Sequence, residues 1–390
     1  MKHLFATFIL WLVAHGSFAQ SQMTLTDSSR ISLMTVAPGD MIYSTFGHSA
    51  IRVKDPNLRF DRCYNYGTFD FEQPGFVLKF CRGKLLYMLD MEPYRSFEYG
   101  NLQDLRVMQE QSLNLSLEQK QRLFDLIQEN YKEENRYYKY DFFYDNCATR
   151  IRDIFEETFF HQLTYDTSKL VQGVTMRQLL QPYVAEKPWL DFGIDLILGL
   201  PADRKAKAAD FMFLPDYLHD LTARAIKPGG ELLVSGEQKI PANGIRQSAY
   251  SPTPLDRPLW VMIAVALIGL LTMANARTER IFDVIFWFIL GLAGLVIFLL
   301  WAATDHSATK NNLNILWALP THLFYFYRNK QTEWTEFYFR FVGFIALAVL
   351  ALWYWLPQEL PIPAIPILLL IVIKSLGRRY WKKSSDESMA

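Results

Sequence analysis

The sequence predicts an α+β extracytoplasmic domain followed by an all-α transmembrane bundle. Three observations carry that expectation. Apolar residues crowd the extreme N-terminus and the stretch after Pro258, in a chain of 390 residues that is 51% hydrophobic and 15% aromatic, richer than an average soluble domain. The region between them mixes alternating strand-like runs with amphipathic helical ones. Basic residues flank the late apolar segments in one consistent pattern. Formal net charge is zero, and the soluble part has no basic stripe with interleaved aromatics, so no nucleic-acid partner is expected.

The elements follow in order. Residues 1–19 read as a signal peptide: Lys2 and His3, an apolar run too short to span, then Ser17-Phe18-Ala19 at a cleavage site. No cysteine follows the cut, so the chain is not expected to be a lipoprotein itself. Residues 20–250 form one domain, of a size that suits a single core. Within it, residues 49–53 and 61–66 read as a hairpin around the turn Asp55-Pro56-Asn57, with His48 at the open end. Ser116-Leu117-Glu118-Gln119 is a capping box that starts a helix to about Tyr131. Asp145 or Asn146 caps a helix that carries Cys147 and runs to about Phe160, and residues 201–221 read as a further helix.

Residues 251–257 are a short linker stiffened by Pro252 and Pro254, and Pro258 follows directly. Residues 258–376 hold five apolar segments: 258–276, 281–302, 313–327, 341–356 and 361–376, the third interrupted by Pro320. Arg277 and Arg280, then Arg328 and Lys330, then Lys374, Arg378, Arg379, Lys382 and Lys383 fall between or beyond them. Five crossings with the N-terminal domain outside put every cluster on the cytoplasmic side, with a re-entrant or bundle-buried segment the alternative for the third and the fifth. Residues 377–390 become a basic cytoplasmic tail, and the expected location is the bacterial inner membrane with the first domain in the periplasm.

Cys147, in Tyr144-Asp145-Asn146-Cys147-Ala148-Thr149-Arg150, is the residue best placed to carry chemistry. A thiol at a helix N-terminus feels the positive end of the helix dipole, which favours thiolate. His48, in Phe46-Gly47-His48-Ser49, is the plausible base. A thiolate with an imidazole beside it is an acyl-transfer nucleophile. A third residue should orient the ring. Hairpin position puts Asn65 first for that role, Tyr66 second and Asp70 third. The Cys147 amide with the Asn146 or Tyr144 side chain is the candidate oxyanion site.

These motifs, together with Asn65-Tyr66-Gly67-Thr68-Phe69-Asp70-Phe71, resemble the Lnb family, the lipoprotein N-acyltransferases of Bacteroidota. A histidine on an early strand before a cysteine that opens a later helix also resembles the circularly permuted papain-like fold of lecithin retinol acyltransferase and permuted NlpC-type hydrolases. The resemblance spans nearly the whole chain, layout included. It implies transfer of a fatty acyl chain from a phospholipid donor to the N-terminal amine of a diacylglyceryl lipoprotein acceptor, at the membrane bilayer. A cell-envelope cysteine peptidase or amidase of the NlpC type, built on the same pair, and a non-catalytic scaffold are the competing readings.

Further substrate contacts are expected at Arg52, for a lipid phosphate or a local carboxylate, and at His306 and Lys310, for a phospholipid head group beside the membrane. The aromatic run of Tyr137, Tyr138, Tyr140, Phe142 and Phe143 reads as core packing or an acyl-chain contact. Any disulfide should join Cys63 to Cys81 and leave Cys147 free. The histidines at 161, 219, 306 and 322 lack ligand spacing, so no metal or other cofactor is expected.

Overall fold

A seven-stranded antiparallel sheet, ordered β6-β4-β3-β2-β1-β5-β7, organises the first domain of the computed structural model. The structure describes residues 23–242, 244, 253–326 and 333–377. The expected signal peptide, the first two residues of the linker and nearly all of the basic tail lie outside them. The strands are β1 (Arg30–Val36), β2 (His48–Asp55), β3 (Phe60–Thr68), β4 (Leu86–Pro93), β5 (Met108–Leu113), β6 (Tyr137–Lys139) and β7 (Val234–Ile240).

Helices cover both faces. They are α1 (Phe76–Cys81), α2 (Tyr94–Gln103), α3 (Leu117–Tyr131), α4 (Cys147–Thr158), α5 (Gln181–Val184), α6 (Pro188–Ile197), α7 (Ala208–Phe211) and α8 (Pro215–Ala223). Alternation along the strands sorts the cores. Ile31, Leu33, Ile51, Val53, Tyr64 and Tyr66 join the larger core with α3 and α4, while Met34, Val36, Ala50 and Cys63 pack with Tyr94 and Phe97 of α2.

The hairpin and both capped helices form where the sequence places them. Ser116 caps α3 in a reciprocal box with Gln119, and Asn146 caps α4 in one with Thr149. The helix expected over 201–221 is broken instead into a 3-10 turn (Leu200–Asp203), α7 and α8. Pro215 has no N–H to continue the ladder and opens α8 at its first turn.

The second domain contains α9 (Pro258–Thr272), α10 (Ala276–Ala302), α11 (Glu333–Ala351) and α12 (Ala364–Leu376). Among the described residues, the helices at 276–302 and 334–351 are long and apolar enough to cross a membrane, and α9 and α12 are shorter apolar helices. The third segment is not a spanning helix. It folds as 3-10 turns, Leu313–Leu316 and Pro320–Phe326, laid against α10. The absent side chain at Gly294 makes room for the Ala318 carbonyl. Irregular backbone of this kind is tolerated at membrane depth where protein buries it. Lys374, counted among the flanking charges, is instead buried and ion-paired with Asp283 of α10 at 2.7 Å.

Polar contacts lock the two domains together. Asn312 and Asn314 donate to the carbonyls of Leu196 and Asp195, and Gln358 donates to that of Leu198. Arg177, fully buried, binds Asp195 and Asp203 at 2.8 and 2.9 Å, tying together the segment those contacts grip.

Candidate active site

Two features of the local sequence bring Cys147 to the open end of the hairpin. The box at Asn146 starts α4 one residue before the thiol. Gly67, at φ 87°, bends the end of β3 and presents no side chain, and a Cβ there would meet the Tyr140 ring at 3.0 Å and Cys147 Cβ at 3.9 Å. The Ser49 amide, next to His48, acts on the thiol and favours its ionised form. Among the described residues no hydrogen bond links Sγ to the imidazole in this resting arrangement.

His48 opens β2, and its Nε2 lies 3.2 Å from Asn65 Oδ1 on the neighbouring strand. Asn65 Nδ2 in turn donates to Glu92 Oε1 at 2.9 Å. A carboxylate only accepts, so Glu92 fixes which way the Asn65 amide faces. The oxygen is then left for His48, which must carry its proton on Nε2. Nδ1 becomes the basic nitrogen, and it has no protein partner among the described residues.

The electrostatics favour a neutral resting pair. Burial lowers the His48 pKa to about 4, helped by the charge of Arg106 and opposed by the Asn65 hydrogen bond. Burial also raises the Cys147 thiol above its ordinary value, against the pull of the Ser49, Ala148 and Cys147 amides and of Arg106. Near neutral pH both groups are therefore uncharged, and the thiolate forms only when a base removes its proton. Arg106 is held by Ala37 O at 2.8 Å and Asn101 Oδ1 at 3.1 Å. Burial and the nearby Asp90 raise the Glu92 carboxyl.

The expected site residues divide. His48 and Asn65 lie within hydrogen-bond distance, and the Ser49 amide next to His48 acts on the Cys147 thiol. Tyr66 does not join His48 and Asn65: its side chain points to the other face of the sheet, the one α4 covers, is buried, and accepts a hydrogen bond from Asn130 at 2.9 Å. Asp70 lies past the end of β3 and accepts from the Glu72 amide. Asn146 is fully used as a cap, since its oxygen takes the amides of Ala148 and Thr149 and its nitrogen binds the carbonyls of Phe142 and Phe213. Tyr144 is exposed beside Arg204, with the guanidinium 5.8 Å from its ring centroid.

Arg52 does not face a lipid. It is 9% exposed, forks onto Asp61 at 2.8 Å, meets Glu110, and covers the Tyr94 ring. His306 and Lys310 also have intramolecular partners in place of a head group. Lys310 Nζ donates to the carbonyls of Trp301 and Thr304 at the end of α10, and His306 Nε2 lies 3.1 Å from Phe80 O. All three thiols are free, so the pairing of Cys63 with Cys81 is not formed: Cys63 is buried in the sheet and Cys81 exposed on α1.

Glu92 and Arg106 escaped sequence reasoning. Glu92 is 27 residues from Asn65 and reaches it only through β3–β4 register, and Arg106 precedes β5 with no motif around it.

Two family models match the chain. One describes the Lnb N-terminal periplasmic domain and covers residues 18–181, and the other describes the Lnb transmembrane domain and covers 246–385. The chain belongs to the Lnb family. It is a membrane protein with a periplasmic part, and the hydrogen-bonded His48–Asn65–Glu92 series and Cys147 all lie within the match to the Lnb periplasmic domain. Comparison with curated proteins and with solved structures gives no match.

Proposed function

We propose that the chain is a membrane-bound lipoprotein N-acyltransferase that works through a thioester on Cys147. Its acyl donor is a phospholipid and its acceptor the N-terminal amine of a diacylglyceryl lipoprotein. The single observation that carries this reading is the Ser49 amide, next to His48, acting on the Cys147 thiol, with Glu92 and Asn65 leaving His48 Nδ1 as a base.

In the first half, Nδ1 takes the thiol proton and the sulfur attacks the ester carbonyl. The tetrahedral intermediate collapses, the C–O bond breaks, and the leaving lysophospholipid oxygen takes the proton from the imidazolium. In the second half, the neutral amine attacks the thioester and gives a proton to Nδ1. The C–S bond breaks, and the imidazolium returns that proton to the departing thiolate. The Ser49 and Cys147 amides serve as oxyanion donors.

The order of imidazole strand before thiol helix supports a circularly permuted papain-like arrangement. With this reading go cleavage after Ala19, a periplasmic domain to residue 250, a linker at 251–257, a multi-pass inner-membrane bundle at 258–376 and a cytoplasmic tail at 377–390. A membrane domain of this size suits a lipid substrate, whereas a wall hydrolase needs only an anchor.

Mass spectrometry of a resident lipoprotein's N-terminal peptide, in cells with and without the chain, tests the proposal. Loss of one acyl chain without the protein is the expected result. An unchanged lipid pattern with altered cell-wall peptides would move the assignment to a cysteine peptidase or amidase.

A further inference from the structure

Helix α1 and the segment before it form an apolar exposed patch of the first domain. Phe71 is 66% exposed, Val77 70%, Leu78 63% and Phe80 50%. Exposed patches of this kind mark an interaction surface, not chance. Lys79, Arg82 and Lys84 are exposed among them, so the patch pairs apolar side chains with positive charge.

Its position in the fold says what meets it. The loop after α10 grips α1 directly: the Asp305 amide donates to Arg82 O at 2.9 Å, and His306 Nε2 lies against Phe80 O. Lys139, on β6, pairs with Asp305 at 2.9 Å. The patch is thus continuous with the loop that follows α10, a helix long and apolar enough to cross a membrane.

A row of rings leads inward from the patch. Phe71 and Phe76 each pack on Phe69, with centroids at 4.8 and 5.9 Å. Phe69 meets Tyr87 at 5.2 Å, and Tyr87 stacks on Tyr140 at 4.4 Å. Tyr140 borders the bare Gly67 that also borders Cys147.

We infer that α1 is a lipid-facing foot seated in the outer surface of the bilayer, and that the ring row from Phe71 to Tyr140 guides a donor acyl chain from that surface to Cys147. The basic residues meet lipid phosphates while Val77, Leu78 and Phe80 enter the acyl region. Seating in the bilayer is independent of the reaction, whereas guidance to the thiol rests on the acyltransferase reading.

The native Cys81 on α1 supplies the probe. In full-length protein carrying Cys147→Ser, with Cys63 buried, an environment-sensitive fluorophore is attached at Cys81. The protein is then placed in nanodiscs whose phospholipids carry spin labels at a shallow or a deep acyl position. Blue-shifted emission, quenched by the shallow label and little by the deep one, is expected. Emission as in water with no quenching overturns the foot, and so does quenching that appears only after a lipoprotein acceptor is added, which would assign the patch to that partner.

Leu78→Asp, in protein with its native thiol, separates the two parts. The ratio of transfer from bilayer phospholipid to transfer from a water-soluble short-chain ester should fall about tenfold, the effect of keeping one leucine out of an apolar phase. An unchanged ratio overturns guidance by this surface. Absence of transfer from either donor in the unmutated chain sinks the acyltransferase reading and leaves the quenching result to stand or fall alone.

Discussion

Two polar networks, one at the domain junction and one at the open end of the hairpin, differ in whether they close. Around Asn312 and Gln358 the groups find protein partners on all sides. Asn312 Oδ1 takes the Asn314 amide and Gln358 Nε2, while Gln358 Oε1 takes the Leu313 amide. The His48–Asn65–Glu92 series stops one atom short, at Nδ1, which has no protein partner among the described residues. A closed network fixes a geometry. An open one holds a reactive atom ready and leaves it something to do.

The contrast breaks most sharply at the thiol. Cys147→Ala should remove transfer by about a thousandfold or more, as the loss of a nucleophile does, with the thermal midpoint nearly unmoved. Transfer assays beside a melting curve check it. His48→Ala comes next, at about a hundredfold or more, because it removes the proposed base.

Glu92→Gln probes the relay from its far end. A glutamine amide can donate to Asn65 Oδ1 and let the Asn65 side chain turn, which releases Nε2 and the fixed tautomer. The rate should drop about tenfold, in kcat more than in KM. The pH profile adds a readout that mere damage to the fold would not give. His48 is neutral above about pH 4, so kcat/KM should hold on the acid side until pH falls through about 4. The Asn65 hydrogen bond raises that pKa, so losing it in Glu92→Gln should move the acid limb lower still.

The closed network answers differently. Asn312→Ala should leave the rate of the folded protein within about twofold while costing about 1–3 kcal/mol of stability, because it strands buried partners at the junction. A lowered thermal midpoint with retained kcat is the expected pair of results.

These differences also mark what the sequence could reveal. The hairpin was legible in its strand-turn-strand pattern, and both caps in their spacing. His48 and Asn65 were legible as partners because hairpin register sets them near one another. Tyr66 was misplaced because one step along a strand turns a side chain to the other face. Asn146 was over-read: the cap that announces the helix also consumes every polar atom it has. Glu92 and Arg106 come from strands and turns whose pairing no local pattern encodes. Composition likewise marked residues 304–312 as polar, yet their partners are backbone carbonyls and side chains of the periplasmic domain as well as the end of α10. The third apolar segment was open to a crossing or a re-entrant reading, and Pro320 and the carbonyls buried against α10 make it a folded-back turn.

The most direct test of the account is intact-mass spectrometry of the full-length protein in phospholipid nanodiscs with no acceptor present. The account predicts one added fatty acyl group, released by hydroxylamine, mapped to the peptide that contains Cys147 and missing in His48→Ala. An unmodified wild-type protein under the same conditions, or an acyl group on Cys81 in place of Cys147, would contradict it.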